Sequence, residues 1–201
     1  SNGKVILVSG NITYNGYSGV VCIYRYENGI WNKKTISGLP LWGWWFIGHS
    51  ISISSDGTII AISSIFTDPH QWVWESGWVF KRFGNDMGDT FIYRWNKETN
   101  EYKQLGQRII GEFNYDMNGA SIQLSHDGNS LIIASARNDD GGNNKGSVRV
   151  YKWSEYTLED EENETYHYSG MVQNSSQTKP IIVTSYANYG NYKPSVGNKY
   201  W

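Results

Sequence analysis

The sequence predicts an all-β fold assembled from repeated antiparallel sheets, and two observations carry that prediction: short phrases recurring in a fixed order, and strand-like alternation inside them. Gly48, Ser50, Ile51, Ile53, Ser54, Asp56 and Gly57 return at the same spacing as Gly119, Ser121, Ile122, Leu124, Ser125, Asp127 and Gly128. A second phrase, Gly-x-x-x-(Ile/Val)-Tyr-(Arg/Lys)-aromatic, runs from Gly19 to Tyr26, from Gly88 to Trp95 and from Gly146 to Trp153. A third is an apolar run closed by serine: Val5 to Ser9, Ile59 to Ser63, Leu131 to Ser135 and Ile181 to Ser185. The closing serines stand 54, 72 and 50 residues apart, a period typical of repeat architectures.

The second phrase reads as a strand because its side chains alternate between two faces. One face carries Val21, Ile23 and Arg25, then Thr90, Ile92 and Arg94, then Val148, Val150 and Lys152. The other carries Cys22, Tyr24 and Tyr26, then Phe91, Tyr93 and Trp95, then Arg149, Tyr151 and Trp153. Neither face is properly polar, so the strands are expected to be covered on both sides. Stacked β-propeller blades provide that cover in an antiparallel, turn-rich chain. Tyr24, Tyr93 and Tyr151 are then expected at equivalent strand positions.

Turns agree. Asp56-Gly57 and Asp127-Gly128 each separate two apolar strands, a strong two-residue hairpin signal because glycine accepts positive φ. Asn2-Gly3 occupies the same place before Val5. No segment holds a 3.6-residue apolar period for long enough to make a helical solenoid. The expected organisation is one β-propeller region of four-stranded antiparallel blades: residues 1–57 a partial first blade, 58–128 a second with an insertion at 68–87, 129–180 a third, and 181–201 the start of another. Because the first and last repeats are cut within hairpins, the expectation is a partial propeller completed by flanking polypeptide or other subunits.

The order of an apolar strand ending in small residues, a polar loop, Gly-x-x-x-Ile-Tyr-Arg-Trp, a further strand, a glycine-led strand and Asp-Gly resembles the FG-GAP repeat of integrin-α-type β-propellers. Ile47-Gly48 and Asn118-Gly119 stand where that family has Phe-Gly, and Ser135-Ala136-Arg137 where it has Gly-Ala-Pro. The resemblance implies a calcium turn of several carboxylates. Here the matching positions are Gln123, Ser125, Asp127, Gly128 and Leu131 in one copy and Ser52, Ser54, Asp56 and Gly57 in the other, so no metal and no other cofactor are expected. A WD40 propeller is a second reading, from Gly48-His49 followed by Ser55-Asp56-Gly57.

Composition bounds the function. With 17 basic and 19 acidic residues, net charge −2, no basic stripe is wide enough for nucleic acid. No apolar stretch reaches the roughly 20 residues of a membrane helix. Cys22 is alone, which excludes an internal disulfide and a cysteine zinc site. His49, His70, His126 and His167 show no paired metal spacing, and no G-x-S-x-G or Cys/His signature is present, so no catalytic residues are assigned. Asn11, Asn163 and Asn174 head glycosylation sequons, which favour an extracellular, cell-surface or virion-surface location. The loop from Asn138 to Asn144 and the acidic run Glu159 to Glu164 read as solvated connections.

The insertion is the leading candidate site. It brings His70, Trp72, Trp74 and Trp78 together with Lys81 and Arg82, and Trp44 and Trp45 are expected to extend the same surface. Flat aromatics beside polar groups suit a sugar face or a protein hot spot. The same tryptophans would also suit packing between blades. The expected function is a non-enzymatic interaction or structural module; a carbohydrate-binding, lectin-like propeller is the alternative, and a glycoside hydrolase the third reading.

Overall fold

The computed structural model describes residues 3–11, 19–38, 46–67, 70–74, 78–82, 84–106, 108–139, 141–159, 165–173 and 181–182. These are all β, with no helix among the described residues. The strands are β1 (Val5–Asn11), β2 (Gly19–Glu27), β3 (Ile30–Ile36), β4 (Ile51–Ile53), β5 (Ile59–Ser64), β6 (His70–Trp74), β7 (Trp78–Arg82), β8 (Asp89–Asn96), β9 (Glu101–Gln104), β10 (Ile109–Ile110), β11 (Asn118–Leu124), β12 (Ser130–Ser135), β13 (Ser147–Glu159), β14 (Thr165–Gln173) and β15 (Ile181–Ile182).

Three antiparallel meanders follow one another. The first is β1-β2-β3, the second β4-β5-β8-β9 with β10 alongside β8, and the third β11-β12-β13-β14 with β15 on its edge. The short parallel pairing of β3 with β9 joins the first two into one eight-stranded sheet. Its edge strands β1 and β4 meet, so this sheet is nearly closed and barrel-like. Hydrogen bonding groups β4 with β5 and β11 with β12, so each of these meanders starts at its glycine-led strand.

The recurrent phrases occupy equivalent places. Tyr24 pairs with Ile6 and Lys33, Tyr93 with Ile60 and Gln104, and Tyr151 with Leu131 and Gln173. The same registers correct one detail of the sequence reading. Val21 pairs with Ser9 and Thr90 with Ser63, but Val148 pairs with Ala134, so the equivalent of Ser63 is Ala134 and Ser135 matches Ser64. A one-residue slip of this kind exchanges the two faces of a strand, and only pairing resolves it.

The alternation then fills two cores. Val5, Val21 and Ile23 of the first meander pack with Ile47, Ile60, Ile62, Phe91, Tyr93 and Tyr102 of the second. On the opposite face of the second meander, Ile59, Ala61, Ile92 and Ile109 pack with Ile122, Leu124, Leu131, Ile133 and Tyr151 of the third. Each core residue removes apolar surface from water, about 1.5–3 kcal/mol for a fully buried branched side chain. β5 is buried along its whole length, as a strand between two such cores must be.

The Asp-Gly turns are wider than a two-residue hairpin. Ser54 N–H donates to Ile59 O at 2.9 Å and Gly57 N–H to Ser54 O at 3.0 Å, and only the glycine takes positive φ. The Asp56 carboxylate instead organises the loop, accepting from Ser54 Oγ (2.7 Å), Thr58 N–H (2.9 Å) and Thr58 Oγ1. Asp127 does the same with Ser125 Oγ, Asn129 N–H and Asn129 Nδ2. The two-residue turn with both residues at positive φ is Asn28-Gly29, between β2 and β3.

Candidate functional site

The registers divide the molecule into two ends. The Asp-Gly loops, Asn28-Gly29 and the turn around Asn100 lie at one end; the connections β1–β2, β3–β4, β5–β8, β10–β11 and β12–β13 gather at the other. Of the predicted binding residues, His70, Trp72, Trp74 and Trp78 lie in the β5–β8 connection, which leaves this second, loop end.

The insertion between β5 and β8 is a β-hairpin rather than an irregular loop. β6 and β7 pair Trp74 with Trp78, Trp72 with Phe80 and His70 with Arg82. Opposed positions of an antiparallel pair share a face, so positions 70, 72 and 74 fall on one face with 78, 80 and 82. Positions 72, 74 and 78 thereby share a face of the hairpin by register, with position 80, a phenylalanine, as a fourth aromatic position on it that sequence reading passed over. Trp44 and Trp45 lie outside the described residues, but the next residue, Phe46, packs edge-on against Phe66 at 5.2 Å between centroids. That contact ties the approach to β4 to the approach to the hairpin. Asn11 ends β1, paired with Gly19, whereas Asn163 and Asn174 lie outside the described residues.

Beside the base of the hairpin three segments lock together. Tyr115 N–H donates to Asn85 O (2.8 Å), Met117 N–H to Asp86 O (3.2 Å) and Asn118 N–H to Met87 O (2.9 Å). Asp86, Tyr115 and Met117 all sit at positive φ, between 46° and 68°, a conformation that costs a non-glycine residue of order 1 kcal/mol or more. The buried Asp116 holds the arrangement: its Oδ2 accepts from Glu112 N–H, Phe113 N–H and Asn138 Nδ2, each at 3.0 Å. Asn138 is therefore fully buried as a brace, a correction to the expectation that its loop is solvated throughout. The result holds Phe113 and Tyr115 half exposed on the surface of the loop end.

Phe113 and Tyr115 are candidate residues that sequence reading missed, although a signal was present. They precede the left-handed Gly119 by six and four residues, as Trp42 and Trp44 precede Gly48. Both glycines are forced by packing. A Cβ on Gly119 would lie 2.5 Å from Ser63 Cβ, and one on Gly48 would lie 2.8 Å from Ser9 Cβ.

A cleft of about 260 Å³ opens at the same end, lined by Ser9, Gly10, Phe46, Gly48 and His49. None of these described lining residues is a carboxylate.

The calcium turns implied by the family resemblance do not fit a cation. Each supplies one carboxylate, and both of its oxygens accept hydrogen bonds from hydroxyl, amide or backbone N–H donors. Burial pushes the Asp56 carboxyl up, but the bonds from Thr58 and Ser54 outweigh it and hold it below the usual carboxylate range. Asp127 is held low chiefly by the Ser125 hydroxyl. Among the described residues no three His, Cys, Asp or Glu side chains come together as a metal cluster. No described helix is long and apolar enough to cross a membrane. No protein-family model matches the chain, and comparison with curated proteins finds no match.

Proposed function

We propose that the chain is a run of β-propeller blades resembling FG-GAP repeats, acting as a non-enzymatic binding and structural module on an extracellular, cell or virion surface. Its loop end is the binding surface. The observation that carries the reading is the spending of backbone strain on display: three left-handed non-glycine residues and a buried carboxylate hold Phe113 and Tyr115 outward, beside a hairpin with four aromatic positions on one face. Strain of this kind collects where a surface is used rather than where a sheet is merely joined.

The propeller assignment is supported by the repetition of one joint. In each, the glycine-led strand of a following meander lies against the apolar strand of the preceding one, with Gly48 on Ser9 and Gly119 on Ser63. Ser52 Oγ accepts from Leu124 N–H at 2.8 Å and Ser50 Oγ from Ile122 N–H at 3.2 Å, as neighbouring inner strands of adjacent blades would require. The parallel pair β3–β9 draws two outer strands together where a propeller splays them, over only two residue pairs.

Protein partners suit a broad aromatic surface, since aromatic residues dominate binding hot spots. The alignment of four aromatic positions on the hairpin favours a glycan as the second reading, because flat rings stack on sugar faces. A glycan array separates the two. Binding by the intact chain that is lost in both Trp72→Ala/Trp74→Ala and Phe113→Ala/Tyr115→Ala establishes the glycan reading; an array without signal leaves the protein reading. Turnover of a glycoside, abolished by replacing one carboxylate, would overturn the non-enzymatic assignment.

A further inference from the structure

The chain builds the same joint twice, with equivalent residues. Arg25 of the first meander lies over the Trp95 ring of the second at 4.5 Å, and Arg94 of the second lies over the Trp153 ring of the third at 5.1 Å. Beneath these two rungs the donor faces are also equivalent: Leu7, Val21 and Ile23 in the first meander, Ala61, Thr90 and Ile92 in the second. The receiving faces match likewise: Ile60, Ile62, Phe91 and Tyr93 in the second meander, Leu131, Ile133, Arg149 and Tyr151 in the third.

Among the described residues, two faces of the series are left open. In the third meander Ile132, Val148 and Val150 are exposed, Val148 by 68%, although their equivalents Ala61, Thr90 and Ile92 are fully buried; Lys152 is exposed as its equivalent Arg94 is. In the first meander Ile6, Val8 and Tyr26 are exposed, the first two by 44% and 48%, although their equivalents Ile60 and Ile62 are fully buried. One chain thus displays both halves of a joint that it has already made twice internally.

We infer that the two open faces are complementary, and that a second copy of the chain docks head to tail through them. The first meander of one copy seats Ile6, Val8 and Tyr26 on Ile132, Val148 and Val150 of the other. Lys152 stands where Arg25 and Arg94 stand, and Tyr26 where Trp95 and Trp153 stand, so the contact adds a third cation-on-ring rung. Pairing of like faces is disfavoured, because it opposes Lys152 to itself and leaves Tyr26 without a cation. A head-to-tail contact is heterologous, so copies close into a ring or extend as a chain rather than stopping at a symmetric dimer. The inference rests on the equivalence of the meanders and is independent of any ligand at the loop end.

Sedimentation velocity on the full chain tests it. The intact chain should gain mass with concentration across the micromolar range. Val148→Asp/Val150→Asp should be monomeric, as should Ile6→Asp/Val8→Asp, and an equimolar mixture should form a 1:1 dimer that grows no further, since each variant keeps the half that the other has lost. An intact chain that stays monomeric throughout overturns the docking, and so does self-association by Val148→Asp/Val150→Asp alone, which would mean that like faces pair. Should an aspartate variant fail to fold by circular dichroism, Lys152→Glu and Tyr26→Ala replace it, each expected to weaken association about 5- to 30-fold, from a cation–ring contact of about 1–2 kcal/mol. The underlying equivalence is read separately. Trp153→Ala should lower the unfolding midpoint of the monomer; an unchanged midpoint sinks the equivalence, whereas absent association sinks only the docking.

Discussion

The two ends of this molecule treat the same repeats in opposite ways. At the turn end the copies agree in sequence and in hydrogen bonding: Ser54-Asp56-Thr58 and Ser125-Asp127-Asn129 build one loop twice, each with its glycine pressed on the preceding meander, Gly57 on Val5 and Gly128 on Ile59. At the loop end the copies diverge. One β-strand connection carries the hairpin His70–Arg82, another ends in strained backbone around Tyr115, and a third in the brace at Asn138. The turn end is what the fold requires of every copy; the loop end is where each copy is free to differ, as binding loops on a rigid scaffold generally are.

The largest expected effect sharpens this division at the glycine joint. Gly119→Ala places a Cβ 2.5 Å from Ser63 Cβ on a backbone at φ +88°, and it should destabilise the fold by on the order of 2–4 kcal/mol. Gly29→Ala also sits at positive φ, yet nothing lies within 4 Å of its Cβ, so its loss should stay near 1–2 kcal/mol. Denaturant unfolding followed by fluorescence compares them; equal losses would mean that the joint is not tightly packed.

Next comes a polar knot that only the joint between the first two meanders possesses among the described residues. Tyr102 Oη donates to Gly57 O at 2.6 Å and accepts from Arg25 at 2.9 Å, while the same guanidinium also reaches Gly57 O. Burial raises the Tyr102 phenol above its ordinary value, with Arg25 pulling the other way. Tyr102→Phe should cost about 1–3 kcal/mol, because Arg25 and Gly57 lose a buried partner. A loss below about 0.5 kcal/mol, measured by urea titration, would show that solvent replaces the hydroxyl.

How much of this was legible beforehand follows the same division. The strand phrases, the two-sided burial of β5 and the equivalence of Tyr24, Tyr93 and Tyr151 are written in alternation, which is a local property. The equivalence of Ala134 with Ser63 was not, because a serine one position away imitates the phrase and only cross-strand pairing exposes the slip. Asp56-Gly57 advertises a hairpin correctly but conceals its width, which depends on the Ser54 hydroxyl reaching the carboxylate. Of the candidate site, the tryptophans of the insertion could be named from the sequence; their common face required the hairpin register. Phe113 and Tyr115 escaped because their exposure is produced by Asp116, Asn138 and Asn85, which converge from three separate segments.

Acid should act on the turn end in a defined sense. The Asp56 carboxyl is held below its ordinary value in the fold, so its contribution is complete at pH values above the unfolded carboxylate range near 4 and declines as pH falls through the lower folded value. Asp56→Asn should flatten that part of the stability profile while lowering stability at neutral pH by no more than about 1 kcal/mol, because the loop is open to solvent. Unfolding midpoints collected from pH 6 down to about pH 2.5 check it. A variant whose midpoint falls as steeply as that of the intact chain would assign the acid sensitivity elsewhere.

The smallest expected change in stability bears most directly on use. Phe113 and Tyr115 are half exposed, so truncating both removes little buried surface, and Phe113→Ala/Tyr115→Ala should stay within about 0.5 kcal/mol of the intact chain. Asp116→Ala differs: it leaves the N–H groups of Glu112 and Phe113 and the amide of Asn138 without their buried acceptor, and should cost about 1–3 kcal/mol. The two variants therefore separate display from support. If the aromatics are there to meet a partner, the double alanine variant unfolds at the midpoint of the intact chain and yet loses binding, while Asp116→Ala loses binding together with stability because the strained loop relaxes. If instead Phe113→Ala/Tyr115→Ala lowers the midpoint as far as Asp116→Ala does, the rings are packing elements, and the loop end is held together by them rather than built to present them.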